Sequence, residues 1–285
     1  MRIAVFPNAA RDTGFAHTRR LIAYILSHQS DVLLLDRMKN DLDLPGVLYV
    51  ESFESADVLI CLGGDGTFLS SIRQPGWNHP PTIGVNLGSV GFLPQIHPTD
   101  LDYAVDQLFA GAYTVEERMM LCVSHLDRDN RMLRHDRVLN DVVFGRGLSG
   151  RIVTISLTIN DEEVERVPGD GLIVSSPTGS TAYALSAGGP IVHPQMSLLL
   201  ITPLCPHSLH NRSYLVSDES TIRLTMEQHT EPAIISIDGQ ENYPLLHGET
   251  LQIQSADDHF QLIRLGDDRF YKTLSAKIQQ RGIAR

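Results

Sequence analysis

The chain has 285 residues, enough for one large or two ordinary domains, each able to bury its own core. Hydrophobic residues make up 42% and charged residues 20%, the balance of a soluble globular chain, and 23 Lys and Arg against 34 Asp and Glu give a formal charge of −11. That charge excludes a basic footprint for nucleic acid, so an anionic ligand must be met by backbone amides, a few arginines or bound cations. Cys61, Cys122 and Cys205 are odd in number and far apart, which argues against a disulfide framework and fits a reducing compartment. The first residues run straight into a strand-like pattern, with no signal-peptide core and no apolar run of transmembrane length, so a cytoplasmic protein without a membrane partner is expected.

In chain order, the pattern predicts a strand over 2–6, a helix over about 15–28, strands over 32–35 and 57–62, a glycine loop, and a helix from Phe68. A strand over 82–86 and a helix over about 98–110 follow. This alternation argues for a parallel, doubly wound α/β domain over residues 1–113, whose ligands bind at the carboxyl ends of the strands. From about Thr114 the character changes. Strand-like runs at 119–126, 138–144, 152–159, 172–175, 221–226, 233–237, 251–254 and 260–265 are separated by polar turns. They predict a β-rich, sandwich-like domain over 114–266, interrupted by a short helix at 181–187. Residues 271–281 read as a helix, and segment 267–285 is expected to pack back on the first domain.

The apolar run 57–62 ends in Gly63-Gly64-Asp65-Gly66-Thr67. Glycines let backbone N–H groups approach an anion, and the following helix start favours negative charge. An acid placed there repels phosphate, so Asp65 suggests either a proton acceptor for an attacking hydroxyl or a partner for a divalent metal. The alternative is a strand-to-helix turn in which Asp and Gly satisfy local geometry. The run Asn86 to Leu93 follows another parallel strand and is expected at the same sheet edge, with Phe92 either against a base or in the core.

A denser segment runs from Asp170-Gly171 through Ser176-Pro177-Thr178-Gly179-Ser180-Thr181-Ala182-Tyr183 to Ser186 and Gly188-Gly189-Pro190. Its hydroxyls and exposed amides suit a sugar or phosphate and Tyr183 offers a flat face, or the same residues are helix caps and a half-buried aromatic. Asn140-Asp141 suits the two hydroxyls of a ribose, or forms an Asx turn. Cys205, His207 and His210 have ligand-like spacing without a second partner set, which favours a His-rich loop over a metal site. No GxxxxGK[ST] loop or GxSxG elbow is present, and the GxGxxG of Gly145 to Gly150 leads on to the strand-like run 152–159 instead of opening a helix, so Walker ATPases, elbow hydrolases and ordinary dehydrogenases lose their main support.

Taken together, Gly63 to Thr67, Asn86 to Leu93, Asn140-Asp141, Asp170-Gly171 through Pro190 and Ile237-Asp238-Gly239-Gln240 resemble the NAD kinase family over essentially the whole chain. The first motif alone is shared with lipid kinases, which leaves a lipid or sugar kinase, or a non-catalytic NAD-binding regulator, as the rival readings. The resemblance implies an α/β domain followed by a β-rich one, NAD bound between them, and a homodimer or homotetramer. It implies Asp65 as the base that takes the proton of the adenosine 2′-hydroxyl, with Gly63, Gly64, Gly66 and Thr67 along the phosphate path. It further implies Asn140 and Asp141 on ribose hydroxyls, and Asp170, Thr178, Thr181, Ala182, Tyr183 and Ser186 on the nucleotide, partly from a neighbouring subunit. Arg151 and Gln240 fall where relatives place further ligand contacts. ATP or polyphosphate would be the donor, with a divalent cation, Mg2+, on its phosphates. Three departures stand out: Asp141 where many relatives have Glu, Ser176 where Thr is common, and Pro168 where many bacterial members place Arg. The last removes a cation from the donor side.

Overall fold

A computed structural model describes residues 1–74, 79–88, 91–147, 151–208, 212–227, 231–266 and 270–283. The chain forms two units, residues 1–117 with 261–285, and residues 118–260. Both divisions fall inside long strands rather than in the turns near 113 and 266 where the sequence pattern changes.

In the first unit β1 (Arg2–Pro7), α1 (Ala16–Ser27), β2 (Asp31–Leu35), β3 (Val47–Val50), β4 (Val58–Gly63), α2 (Asp65–Ile72), β5 (Thr82–Asn86) and α3 (Leu101–Phe109) follow one another. The strands lie parallel in the order β5-β4-β1-β2-β3, the doubly wound arrangement that the alternation predicts. β4 is buried at every position, as expected for an unbroken apolar run covered on both faces. Helix α3 buries Leu101, Ala104, Val105 and Leu108, one stripe at helical spacing. Ahead of α1, the Asp12 carboxylate accepts the N–H groups of His17 and Thr18 and the Thr18 hydroxyl, which ties down the turn that leads from β1.

The next strand, β6 (Thr114–Leu126), carries the chain into the second unit, where it pairs with β7 (Met132–Val138). There follow β8 (Asp141–Gly145), β9 (Val153–Ile159), β10 (Glu162–Gly169), β11 (Gly171–Ser175), the single helical turn α4 (Tyr183–Ser186), β12 (Leu198–Leu204), β13 (Tyr214–Ser217), β14 (Ile222–Met226), β15 (Ala233–Ile237), β16 (Glu241–Leu245) and β17 (Thr250–Arg264). One antiparallel sheet runs β13-β12-β11-β8-β15-β16, while β10, β9, β14 and the first part of β17 pair antiparallel beside one another. Strands β9 and β14 bury alternate residues, and Leu157, Leu224 and Ile253 meet Phe144, Val174, Ile201 and Ile235 in one core. This is the sandwich-like β domain of the sequence reading. The end of β17 lies parallel to β5 in the first unit, followed there by α5 (Phe270–Ile283).

Four predicted runs are resolved differently. Residues 138–144 are two strands with a corner at Leu139 and Asn140, because backbone N–H groups there turn to the Asp238 carboxylate instead of a ladder partner. Residues 251–254 and 260–265 belong to the single strand β17, whose middle is half-exposed and so lacks an apolar signature. The helix at 181–187 is a 3-10 turn over Thr178–Thr181 and the short α4, broken at Ala182 with φ −94° and ψ −124°.

Candidate active site

In the first unit the register Gly63↔Asn86 sets the ends of β4 and β5 side by side, so the Gly63 loop and the Asn86 loop share one sheet edge. Gly64 takes the N-cap position of α2 and Asp65 its first turn. The Asp65 carboxylate accepts the N–H of Phe92 at 2.9 Å and of Leu93 at 3.0 Å, two charge-assisted bonds each worth on the order of 2 kcal/mol. A Cβ on residue 91 would stand 2.6 Å from Asp65 Oδ1, so the carboxylate reaches this backbone only because Gly91 is bare. Asp65 is half-buried and Gly66 exposed, whereas Thr67 is buried with its hydroxyl accepting from Asn8 Nδ2 at 2.7 Å. Phe92 is half-buried beside Phe270 of α5, with ring centroids 6.5 Å apart. Ser89 and Val90 of this loop lie outside the described residues.

Arg11 was not singled out by sequence. The exposed Arg11 guanidinium lies across Gly88, where a Cβ would run into it, and within 3.9 Å of a Cβ on Gly64. It brings a cation to the glycine loop. Its one sequence signal is position, in the loop after a parallel strand at the same carboxyl edge.

In the second unit the corner at Asn140-Asp141 is built by long-range contacts. Ser176 donates its N–H to the Asn140 carbonyl at 2.9 Å and its hydroxyl to the Leu139 carbonyl. Gly179 lies so close to the Asn140 carbonyl that a side chain there would overlap it. Burial of Asp141, with the Asp238 charge adding to it, pushes its carboxyl up to about 7, while the Tyr183 backbone N–H acts in the opposite direction. Thr178, Thr181 and Ala182 therefore lie in the turn beside Asn140 and Asp141, and Tyr183 is 48% exposed, so its ring is half-buried with much of it open to solvent. Ser186 is exposed one turn further on. The Ser180 hydroxyl is taken up internally, donating to the Pro177 and Val192 carbonyls and accepting the Val192 N–H.

Asp170 and Arg151 are not gathered at this corner. Ser175 pairs with Asp141 at one end of β11, and at about 3.4 Å per residue the strand carries Asp170 roughly 17 Å from Ser175. Asp170 meets Arg146 there at 3.1 Å, and Arg151 precedes β9, whose Val153 pairs with Gly169. Gln240 is exposed at the β15–β16 turn. Pro168 sits in β10, an edge strand, where a missing N–H costs no ladder bond. Cys205 is exposed, His207 donates its N–H to the Pro168 carbonyl, and His210 lies outside the described residues. Among the described residues no group of three or more His, Cys, Asp or Glu side chains could hold a metal ion.

Residues 19–113 match the ATP-NAD kinase N-terminal domain family, and residues 139–265 the ATP-NAD kinase C-terminal domain family. An NAD kinase of Ruminiclostridium cellulolyticum is 38% identical, with 98% of each chain covered. One of Acetivibrio thermocellus is 37% identical over 99% of this chain and 98% of its own. Among solved structures, yeast NADH kinase complexed with NADH superposes with a TM-score of 0.90 at 22% identity, over 100% of this chain and 89% of that one. An NAD kinase from Archaeoglobus fulgidus in complex with ATP gives 0.77 at 26% identity, over 98% and 99%.

Proposed function

Because the chain belongs to the NAD kinase family, we propose that it transfers the γ-phosphoryl group of ATP to the adenosine-ribose 2′-hydroxyl of NAD, giving NADP and ADP. The observation that carries the chemistry is the Asp65 carboxylate, oriented by two backbone N–H groups at the start of α2. The ribose oxygen attacks the γ-phosphorus and its proton passes to Asp65. The bond from that phosphorus to the bridging oxygen breaks, and its electron pair leaves with ADP. A free ribose hydroxyl is too weak an acid to ionise at neutral pH, so a carboxylate placed to accept its proton contributes about a hundredfold or more.

The backbone of Gly63, Gly64, Gly66 and Thr67 and the Arg11 guanidinium receive donor phosphate. Asn140 and Asp141 hold ribose hydroxyls; Thr178, Thr181, Ala182 and Ser186 line the nucleotide, and Tyr183 stacks on it. Asp170, Arg151 and Gln240 complete the nucleotide contacts, Asp170 and Arg151 from a neighbouring copy in a homodimer or homotetramer. Their place at the far end of β11 from Ser175 supports that division. The described side chains do not fit a resident metal, so Mg2+ enters as part of the ATP substrate, and no step is assigned to it. The free, scattered cysteines support a reducing, cytoplasmic setting.

Purified protein incubated with NAD, ATP and Mg2+, with NADP followed by an NADP-specific dehydrogenase, tests the reaction. NADP formation is expected; NAD binding without NADP would leave only a non-catalytic binder. Polyphosphate in place of ATP defines the donor, and light scattering of the eluted protein defines the oligomer.

A further inference from the structure

Asp238 lies in the hairpin turn between β15 and β16, closed by the Gln240 N–H to the Ile237 carbonyl at 2.9 Å. Asp238 and Gly239 have φ of 50° and 62°, a left-handed pair at the centre of the turn that Asp-Gly adopts readily. Turn formation accounts for the backbone of Asp238 but not for its side chain. The carboxylate is buried and turned away from its own hairpin. It accepts three N–H groups of a distant corner: Leu139 at 3.0 Å, Asn140 at 2.7 Å and Asp141 at 3.1 Å. The Asp238 N–H returns a bond to the Asp141 carbonyl at 2.9 Å.

We propose that Asp238 is a positioning residue for NAD: its carboxylate gathers the amides of 139–141 and so fixes the corner from which Asn140 and Asp141 reach the ribose. The inference rests on the reading of those two residues as NAD contacts. A corner with three inward-turned N–H groups needs an acceptor with two oxygens, and no hydroxyl or single amide oxygen serves all three with the same geometry. The same carboxylate also bears on the charge of its neighbour. Among the described residues the groups that act on the Asp141 carboxyl are Asp238, which holds its proton on, and the Tyr183 backbone N–H, which favours the ionised form. An ionised Asp141 accepts from two ribose hydroxyls, so NAD capture strengthens as pH rises through about 7.

The test is Asp238→Asn, because Asn-Gly supports the same turn while the amide has one acceptor oxygen and presents a donor to the remaining N–H. The KM for NAD is expected to rise about tenfold or more with kcat at saturating NAD little changed. The neutral limb in the pH profile of kcat/KM for NAD is expected to move to lower pH, since the charge opposing ionisation of Asp141 is gone. A stability defect alone moves neither. Asp238→Glu keeps the charge but is one methylene longer; it is expected to leave the limb near neutrality and raise the KM for NAD, and it decides the matter if the Asn variant does not fold. Asp141→Asn separates the two ideas: it should abolish the limb and raise the KM for NAD. If Asp141→Asn leaves that KM unchanged, the contact reading fails. If Asp141→Asn raises it while the folded Asp238 variants leave KM and limb unmoved, the positioning role is overturned and the contact reading stands.

Discussion

The Phe92 N–H is shared by both oxygens of the Asp65 carboxylate, at 2.9 Å and 3.2 Å. A backbone donor so placed fixes the rotation of the carboxyl group, and the Leu93 N–H on Oδ1 adds a second point of attachment. The acid is aimed by the peptide chain of a neighbouring loop.

Asp65→Asn keeps an acceptor for these amides but cannot take a proton. Turnover is expected to fall by a factor of about a hundred or more, with NAD binding by titration largely preserved. Unchanged kcat would remove Asp65 from proton transfer.

Arg11→Met keeps the length of the side chain and removes its charge. With the guanidinium over Gly88 and Gly64, the KM for ATP is expected to rise about tenfold and that for NAD to stay put. Arg11→Lys should recover part of the loss. An ATP KM equal to that of the unmodified protein would return Arg11 to the solvated surface.

Tyr183 is half-exposed, so Tyr183→Ala is expected to leave the melting temperature nearly unchanged. Lost stacking should appear as an increase of about fivefold in the KM for NAD. A large drop in melting temperature with an unaltered KM would contradict the assignment.

Asp141 carries a stability cost with a defined pH window. Its native carboxyl titrates near 7 against an ordinary value of 3.8, so between those pH values the native state binds the extra proton and stability falls as pH rises, by up to about 4 kcal/mol. Asp141→Asn is therefore expected to melt above the unmodified protein at pH 8 and close to it at pH 4. A constant difference across that range would show that Asp141 does not titrate as described.

The sequence made the parallel sheet and its loops legible where burial and chain order coincide. β4 reads plainly because every residue of Val58–Gly63 is buried, and α3 because its apolar stripe keeps helical spacing. Edge strands are another matter. β3, β10 and β16 bury few residues fully, and Pro168 and Pro244 within β10 and β16 argue locally against any strand at all. The corner at Asn140 shows a deeper difficulty. Its carboxylate partner stands 98 positions along the chain, and neither periodicity nor local turn chemistry links them. Arg11 escaped for a related reason, since one arginine in a polar loop has no pattern until the strand ends are set side by side.

The Ser180 hydroxyl, stapled to Pro177 and Val192, has a thermodynamic consequence for the turn that displays Tyr183. Loops that close on a ligand surrender conformational entropy at the moment of binding, on the order of 1 kcal/mol for each residue that becomes ordered. Here that loss is incurred once, during folding, because the turn that carries Tyr183 is already tied to its neighbours. Affinity for a nucleotide then depends on the contacts it makes, with little subtracted for arranging the segment that makes them.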